Sequence, residues 1–220
     1  MKILQKESKK LELSSFELKR RRYNWKHVTQ KKISGKFKKL ADDATEIKYP
    51  FNLFCQINNE TINEGTVQLS SGPNKTGVAE KTNTANFNGI TCESEKGSAL
   101  VASFNSSGSV IFIIYPYKSE RYSRAEDNII LYDFLNPDDV NDKLIDKAIC
   151  KYLLYIRNSS VYGAHSVSLI DRLRINWMTY LDVRNRRKMY QGFWLLFVEW
   201  SKVLGAGIAG YIVAVLTQTP

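Results

Sequence analysis

The chain has 220 residues, 43% of them apolar and 12% aromatic, and a formal net charge of +10. This composition is that of a folded protein of one or two domains and excludes a disordered chain. The three cysteines are widely spaced without a CxxC pair, and neither histidine, His27 or His165, has metal-ligand spacing. We therefore expect neither a disulfide framework nor a zinc site, and a reducing cytosolic environment.

The positive charge is concentrated in a predicted basic arm, residues 1–40. Residues 1–39 contain 14 Lys and Arg against three Glu, a net charge of +11, so the rest of the chain sums to −1. Aromatic side chains lie among these cations, and the spacing of Ser14 and Glu17 predicts a capping box that opens a helix. The arm is either a solvated, partly disordered tail or a binding site for nucleic acid, a nucleotide or acidic lipid. The candidate anion ligands are Arg20, Arg21, Arg22, Lys31, Lys32, Lys36, Lys38 and Lys39.

Residues 41–135 have the pattern of a β-rich domain, either an antiparallel sheet or a small barrel. The clearest signal is a hairpin in which strands at 99–104 and 109–115 flank a four-residue connection that contains glycine. Because residues 110–115 are continuously apolar, we expect this strand to be buried on both faces and central in the domain. Residues 74–97 are polar and predict short strands or mobile loops. Further strands are expected at 51–57, 61–70 and 128–134.

Two helices are predicted after the strands. The first, over residues 136–158, has Asn136 as its cap and Pro137 in its first turn, and Asp138 and Asp139 face the positive end of the helix dipole. Apolar residues then recur at helical spacing, so this helix should pack on the sheet.

The second helix, over residues 166–190, is basic and adjoins the apolar C-terminal segment. Its apolar face consists of Val167, Ile170, Leu173, Trp177 and Leu181. This face either packs on its own domain or lies on the bilayer surface as a collar, with cations at the level of the lipid phosphates. In the second case the membrane-interface residues are Trp177, Arg184, Arg186, Arg187, Lys188 and Tyr190.

The C-terminal segment, residues 193–217, is the predicted transmembrane helix. From Phe193 to Leu216 only Glu199 and Lys202 are charged. A helix over this stretch is about 36 Å long, against about 30 Å for the hydrocarbon core of a bilayer. The alternative is a buried core helix, but a chain of this size hides an all-apolar helix with difficulty. We therefore expect a single-pass protein in contact with membrane lipids.

The basic residues before the segment predict its orientation. Clusters of Lys and Arg mark the cytoplasmic side of a span, so we expect an inner-membrane protein whose N-terminus is cytoplasmic. The first ten residues lack the apolar region of a signal peptide, which favours a tail-anchored arrangement.

The predicted span also has features of a helix–helix contact. Small residues recur at i, i+4 spacing, which lets helix backbones approach closely in lipid. Glu199 and Lys202 can pair either inside a helix bundle or at head-group level. We expect a homo-oligomer whose helix–helix or pore contacts are Glu199, Lys202, Gly205, Ala206, Gly207, Ala209 and Gly210.

The sequence contains no P-loop, no G-x-S-x-G and no H-E-x-x-H motif. We therefore expect a non-enzymatic protein with no cofactor and no metal. The fold expected for the whole chain is α+β: a β-rich cytosolic domain followed by two helices, the second continuing into the C-terminal transmembrane helix.

The expected function is that of a membrane effector. Its cytosolic domain would sense an anionic ligand such as a nucleotide or oligonucleotide, and its oligomerising C-terminal helix would then alter membrane permeability as a pore or channel does. Compact effectors of bacterial anti-phage defence have this general layout. The alternative is a tail-anchored adaptor that tethers nucleic acid or a protein partner to the membrane.

Overall fold

The computed structural model describes residues 2–59, 64–84, 87–119 and 127–185, together with Trp194 and residues 197–202. Within these residues the chain is an α+β protein, as predicted, with helices and antiparallel strands. Most of the predicted transmembrane helix, residues 193–217, lies outside the described residues. Of the helices that are described, none has the length and apolar content needed to cross a bilayer.

The N-terminal residues form one long helical run. It consists of α1 (Lys2–Asn24), a π-helical turn (Trp25–Thr29) and α2 (Gln30–Glu46). The helix begins at Lys2, so the predicted start at Ser14 is wrong, because the good helix formers before Ser14 extend it without a cap.

The two halves of this run have different environments. None of the residues described in α1 is buried. From the π-helical turn onward, by contrast, one face turns into the protein, and Trp25, Ile33, Phe37 and Ala44 are buried. Their spacings of eight, four and seven residues place them on one side of a helix. The second half of the predicted basic arm is therefore part of the hydrophobic core.

The described residues contain seven strands, all paired in antiparallel fashion. Five of them form one sheet in the order β1-β2-β5-β6-β7, and β3 and β4 form a separate two-stranded hairpin. Because β1 and β7 lie at the two edges of the larger sheet, the five strands described form an open sheet and do not close into the alternative small barrel. The strands are β1 (Leu53–Asn58), β2 (Gly65–Ser71), β3 (Asn74–Thr84), β4 (Phe87–Glu95), β5 (Ala99–Phe104), β6 (Val110–Tyr115) and β7 (Ile129–Leu135).

The predicted hairpin at 99–104 and 109–115 is confirmed as β5 and β6. Gly108 in its connection has φ +81°, a left-handed conformation that glycine adopts without strain. The prediction that β6 is central and buried on both faces is wrong: β5 is the middle strand, and burial alternates along β6. Val110, Phe112 and Ile114 are buried, but the other face of the sheet is only half-covered, because the helices pack against one face.

The polar segment 74–97 forms strands β3 and β4, and its base is fixed to the domain by Glu95. This side chain is 3% exposed. Its carboxylate accepts hydrogen bonds from the Ser160 hydroxyl and the Val161 backbone N–H, both at 2.8 Å. A buried carboxylate needs such partners, so the hairpin is held against the chain at residues 160–161.

Helix α3 (Asp142–Ser159) packs on the sheet beside α2, as the pattern of its apolar residues predicted. It begins at Asp142 and not at the predicted cap Asn136. Asn136 instead caps a short 3-10 turn (Pro137–Asp139), and the side chain of Asn141 caps α3 by accepting from the Leu144 N–H at 2.9 Å. The break between the two caps allows Val140 to be buried.

Helix α4 (Leu169–Tyr180) is shorter than the predicted helix over 166–190. A capping box between Ser168 and Asp171 fixes its start. The side that packs on the domain carries Ile175 and Met178. Most of the predicted apolar face does not pack on the domain: Ile170, Leu173, Trp177 and Leu181 are exposed, and Val167 is half-buried.

The core is one continuous cluster formed by α2, α3 and the inner face of the sheet. Its fully enclosed side chains include Ile33 and Phe37 of α2, Leu69 and Leu100 of the strands, and Ile145 of α3. Burying each such side chain contributes about 1.5–3 kcal/mol. The attachment of α2 therefore depends on its apolar face, and its lysines lie outside the core.

Phe37→Ala tests this assignment of α2 to the core. Phe37 is fully buried, so the substitution should lower the free energy of unfolding by about 3–5 kcal/mol, measured by denaturant unfolding. Phe16→Ala in the exposed helix α1 makes the same chemical change and should alter it by less than about 0.5 kcal/mol. Equal effects of the two substitutions would contradict the assignment.

Candidate functional site

Several predicted anion ligands are engaged by the protein itself. The Arg20 guanidinium donates to Glu17 at 2.9 Å and to Asp138 at 2.5 Å, and these hydrogen bonds raise its pKa. The Lys36 ammonium lies 2.9 Å from an Asp146 oxygen, which likewise raises the pKa of the lysine. Both cations therefore join the N-terminal helical run to the segment 136–158.

The remaining predicted cations divide into two groups. Lys31, Lys32, Lys38 and Lys39 are exposed on α2, and of these Lys32 donates to the Val140 carbonyl at 3.3 Å. Arg21 and Arg22 are half-buried at the end of α1, and their Nε atoms are buried with no hydrogen-bond partner in the described part of the chain.

Arg22 reaches a pocket of about 570 Å³ where α1 meets the π-helical turn. We call it the basic pocket. The side chains around it are three cations, four aromatic rings including the imidazole of His27, one carboxylate and two amides. They are Lys19, Arg22, Lys26, Tyr23, Trp25, Phe104, Glu64, His27, Gln30 and Asn59.

The π-helical turn shapes one wall of the basic pocket. The Gln30 N–H donates to the Trp25 carbonyl five residues earlier, which widens the helix locally. The Thr29 hydroxyl lies 2.9 Å from Asn24 Oδ1 and 3.0 Å from the Pro137 carbonyl, so the turn is held against the 3-10 segment. Such single π-turns occur frequently at functional sites.

Aromatic rings form the floor and part of the wall. Trp25 stacks on Phe104 with ring centroids 5.3 Å apart and planes 10° apart. Tyr23 and His27 contact each other with centroids 4.3 Å apart, and both are exposed. Exposed rings beside cations can stack on a flat, anionic ligand such as a nucleotide base.

Polar side chains complete the base of the pocket. The Gln30 amide donates to Asn59 Oδ1 at 2.5 Å. A Cβ at Gly65 would lie 3.0 Å from that oxygen and 3.2 Å from Trp25 Nε1, so the absence of a side chain at Gly65 lets this cluster close. The close packing of strand β2 under the turn positions these groups.

The charge of the basic pocket is positive. Lys19, Arg22 and Lys26 face a single carboxylate, Glu64. Neither Lys19 nor Lys26 has an ion pair within the residues that the structure describes. Since paired cations contribute little to binding a further anion, these unpaired groups are the ones available to a phosphate or carboxylate.

The sequence identified only part of this pocket. Of the eight predicted anion ligands, Arg22 alone lines it, and the other seven lie elsewhere on the helical run. Tyr23 and Trp25 are among the aromatic side chains that lie between the cations of the arm in the sequence. Asn59 follows strand β1 and Phe104 ends strand β5, and no local sequence signal indicates that they meet the arm.

The predicted membrane-interface residues are described only in part. Trp177 is 61% exposed on α4. Arg186, Arg187, Lys188 and Tyr190 lie outside the described residues, as do the small residues predicted at the helix–helix contact, Gly205, Ala206, Gly207, Ala209 and Gly210. Glu199 and Lys202 are exposed and form an ion pair at 2.8 Å.

Arg184, predicted at the membrane interface, is engaged in the domain by Asp182. Asp182 is 2% exposed and accepts from the Ile130 N–H at 2.8 Å, from the Arg184 N–H at 2.8 Å and from the Arg184 guanidinium. Arg184 also contacts Asn128. We call this group the Asp182 latch, because it ties the chain after α4 to strand β7.

No protein-family model, curated protein or solved structure matches the chain. In the described residues no cluster of His, Cys, Asp or Glu is arranged to hold a metal ion.

The Asp182 latch should stabilise the domain in a pH-dependent manner. Burial alone would raise the pKa of Asp182, but hydrogen bonds from Arg184 and Ile130 outweigh it, so the pKa is lowered. Its contribution is therefore complete above the unfolded-state value of about 3.9 and is lost as pH falls through the folded-state pKa.

Asp182→Asn should lower the free energy of unfolding by about 1–3 kcal/mol at pH 7, measured by denaturant titration. The difference from the unsubstituted protein should shrink as the pH is lowered below about 4. Asp42→Asn, an exposed carboxylate on α2, serves as the control and should have little effect at either pH. A pH-independent loss would show that shape and not charge matters at residue 182.

Proposed function

We propose that this chain is a membrane-tethered, non-enzymatic receptor for an anionic ligand. The basic pocket binds a nucleotide or oligonucleotide, and the C-terminal segment over residues 193–217 spans the inner membrane, oligomerises and alters membrane permeability. The observation that carries the proposal is the meeting of unpaired cations and exposed aromatic rings in one pocket at the π-helical turn.

The chemistry of the pocket favours a phosphorylated, flat ligand. Cations alone would suit any anion, but Tyr23 and His27 add an exposed aromatic surface on which a base can stack. The amides of Gln30 and Asn59 are hydrogen-bonding groups of the kind that contact base edges. A pocket of about 570 Å³ has the size usual for a small-molecule site.

The membrane half of the proposal is supported by the sequence. The uninterrupted apolar stretch Val203–Leu216 and its small residues at i, i+4 spacing are typical of an associating membrane helix. In this proposal the domain binds the ligand in the basic pocket, and the C-terminal segment changes the permeability of the membrane.

Lys26→Gln tests the pocket. The probes are a mononucleotide, a cyclic dinucleotide and a short single-stranded oligonucleotide, and calorimetry of the full chain first shows which of them binds. Because the substitution removes one unpaired cation, it should raise the dissociation constant of that probe by about tenfold or more. For an oligonucleotide, the plot of log K against log salt concentration should also become less steep by about 0.7, the slope of one phosphate contact with a single strand.

Lys39→Gln is the matched control for Lys26→Gln. It makes the same change of charge on α2, at a lysine that does not line the pocket, and should leave the dissociation constant within about twofold. Equal losses from the two substitutions would mean that the arm attracts anions through its overall charge and has no defined site.

Gly207→Leu tests the membrane output. A leucine in the small-residue stripe should prevent close helix contact and abolish ligand-triggered loss of membrane potential, read with a potential-sensitive dye in cells. Val215→Leu within the same segment adds bulk on the opposite side of a helix, about 180° from the middle of the stripe at 100° per residue, and should preserve the effect.

The adaptor alternative makes the opposite prediction for the segment. Helix α1 supports it, because none of its described residues is buried and most of its surface is open to a partner. If an unrelated single-span anchor replaces residues 191–220 and full function is retained, the chain is a tether and the permeability proposal is refuted.

A further inference from the structure

Helix α4 has an exposed apolar face in addition to the one packed on the domain. Its packed side holds Ile175 and Met178. The exposed side carries Leu169 at 78%, Ile170 at 61%, Leu173 at 67%, Trp177 at 61%, Tyr180 at 42% and Leu181 at 40% exposure. We call these six residues the α4 apolar face. A continuous exposed patch of this kind marks a surface that contacts something other than water.

The arrangement of charges around the α4 apolar face resembles that of an interfacial helix. At about 100° per residue the six side chains occupy an arc of about 120°. Arg174 lies just beyond one border of this arc and Arg172 beyond the other, and both are exposed. Arginines on the flanks of an apolar arc can reach lipid phosphates while the arc enters the head-group region.

The position of α4 in the chain indicates a bilayer as the occupant. Four basic residues follow within residues 184–188, and the long apolar segment begins at Phe193. Trp194, Phe197 and Trp200, close to that start, are about two-thirds exposed. Trp and Tyr accumulate at the membrane–water boundary, so the α4 apolar face and these aromatics belong to one stretch of interfacial chemistry.

Helix α4 is attached to the domain at both ends. At its start, Asp171 accepts from the Arg157 guanidinium of α3 at 2.8 Å. After its end, the Asp182 latch binds the backbone of strand β7. The helix cannot turn its apolar face inward without breaking these contacts, so whatever binds that face also fixes the orientation of the domain.

We propose that the α4 apolar face lies in the head-group region of an anionic bilayer and holds the domain in one orientation on the membrane. This rests on the proposed membrane attachment through residues 193–217. The α4 apolar face adds a second contact with the membrane, and two contacts would hold the basic pocket in a defined position relative to the bilayer.

The test uses the full chain in nanodiscs of phosphatidylethanolamine and phosphatidylglycerol, with one chain per disc. The native cysteines Cys55, Cys92 and Cys150 are replaced by alanine. An environment-sensitive fluorophore is then attached at Leu173→Cys on the apolar face, or at Thr179→Cys as the control. Thr179 is exposed on the same helix but lines a cavity toward β7.

The expected result is a blue-shifted emission at residue 173 that shallow spin-labelled lipid quenches and aqueous iodide does not. At residue 179 iodide should quench and the lipid quencher should not. Iodide quenching at 173 equal to that at 179 would overturn the inference. Protection of 173 from both quenchers would also overturn it, because a protein partner would then cover the face.

The outcomes separate this inference from the proposed function. If the chain does not remain with the nanodiscs at all, both the membrane attachment and the α4 contact are refuted. If the chain remains but residue 173 is in water, only the α4 contact fails, and the C-terminal segment acts alone as the anchor.

Discussion

The packing of α2 on the sheet is the interaction on which the rest of the structure depends. Ile33 and Phe37 are completely enclosed against the strands, and they anchor a helical run that is otherwise polar. Because α1 and the π-helical turn are continuous with α2, this packing also sets where Arg22, Tyr23 and Lys26 lie. Without this packing, neither the wall nor the floor of the basic pocket would form, because Trp25 would not be held against Phe104.

Charge complements this packing but does not replace it. Arg20 with Asp138 and Lys36 with Asp146 join the basic run to the acidic segment that leads into α3. Exposed ion pairs of this kind contribute little to stability. Their effect is to fix the position of the N-terminal helical run along the segment 136–158. They also neutralise part of its charge, and the cations that keep no carboxylate partner in the described chain are those that the proposed ligand would contact.

The C-terminal side of the domain is built on a different principle. A buried carboxylate, Asp182, is stable only because backbone N–H groups and Arg184 satisfy it. These contacts fix residues 182–184 to strand β7. For the receptor proposed above, such a fixed attachment is an advantage, because a ligand bound in the domain can act on the following segment only through contacts that hold its start.

Local patterns in the sequence were sufficient for the features that depend on neighbouring residues. The hairpin of β5 and β6 follows from its turn and its β-branched strands, the α+β class from the order of elements, and the position of the basic charge from composition. The tertiary structure alone decided which cations are engaged, that Trp25 belongs to the core, and that Asn59 and Phe104 reach the pocket. It also decided that Leu173 and Trp177 are uncovered, because helical spacing reveals an apolar face but contains no information about what lies against it.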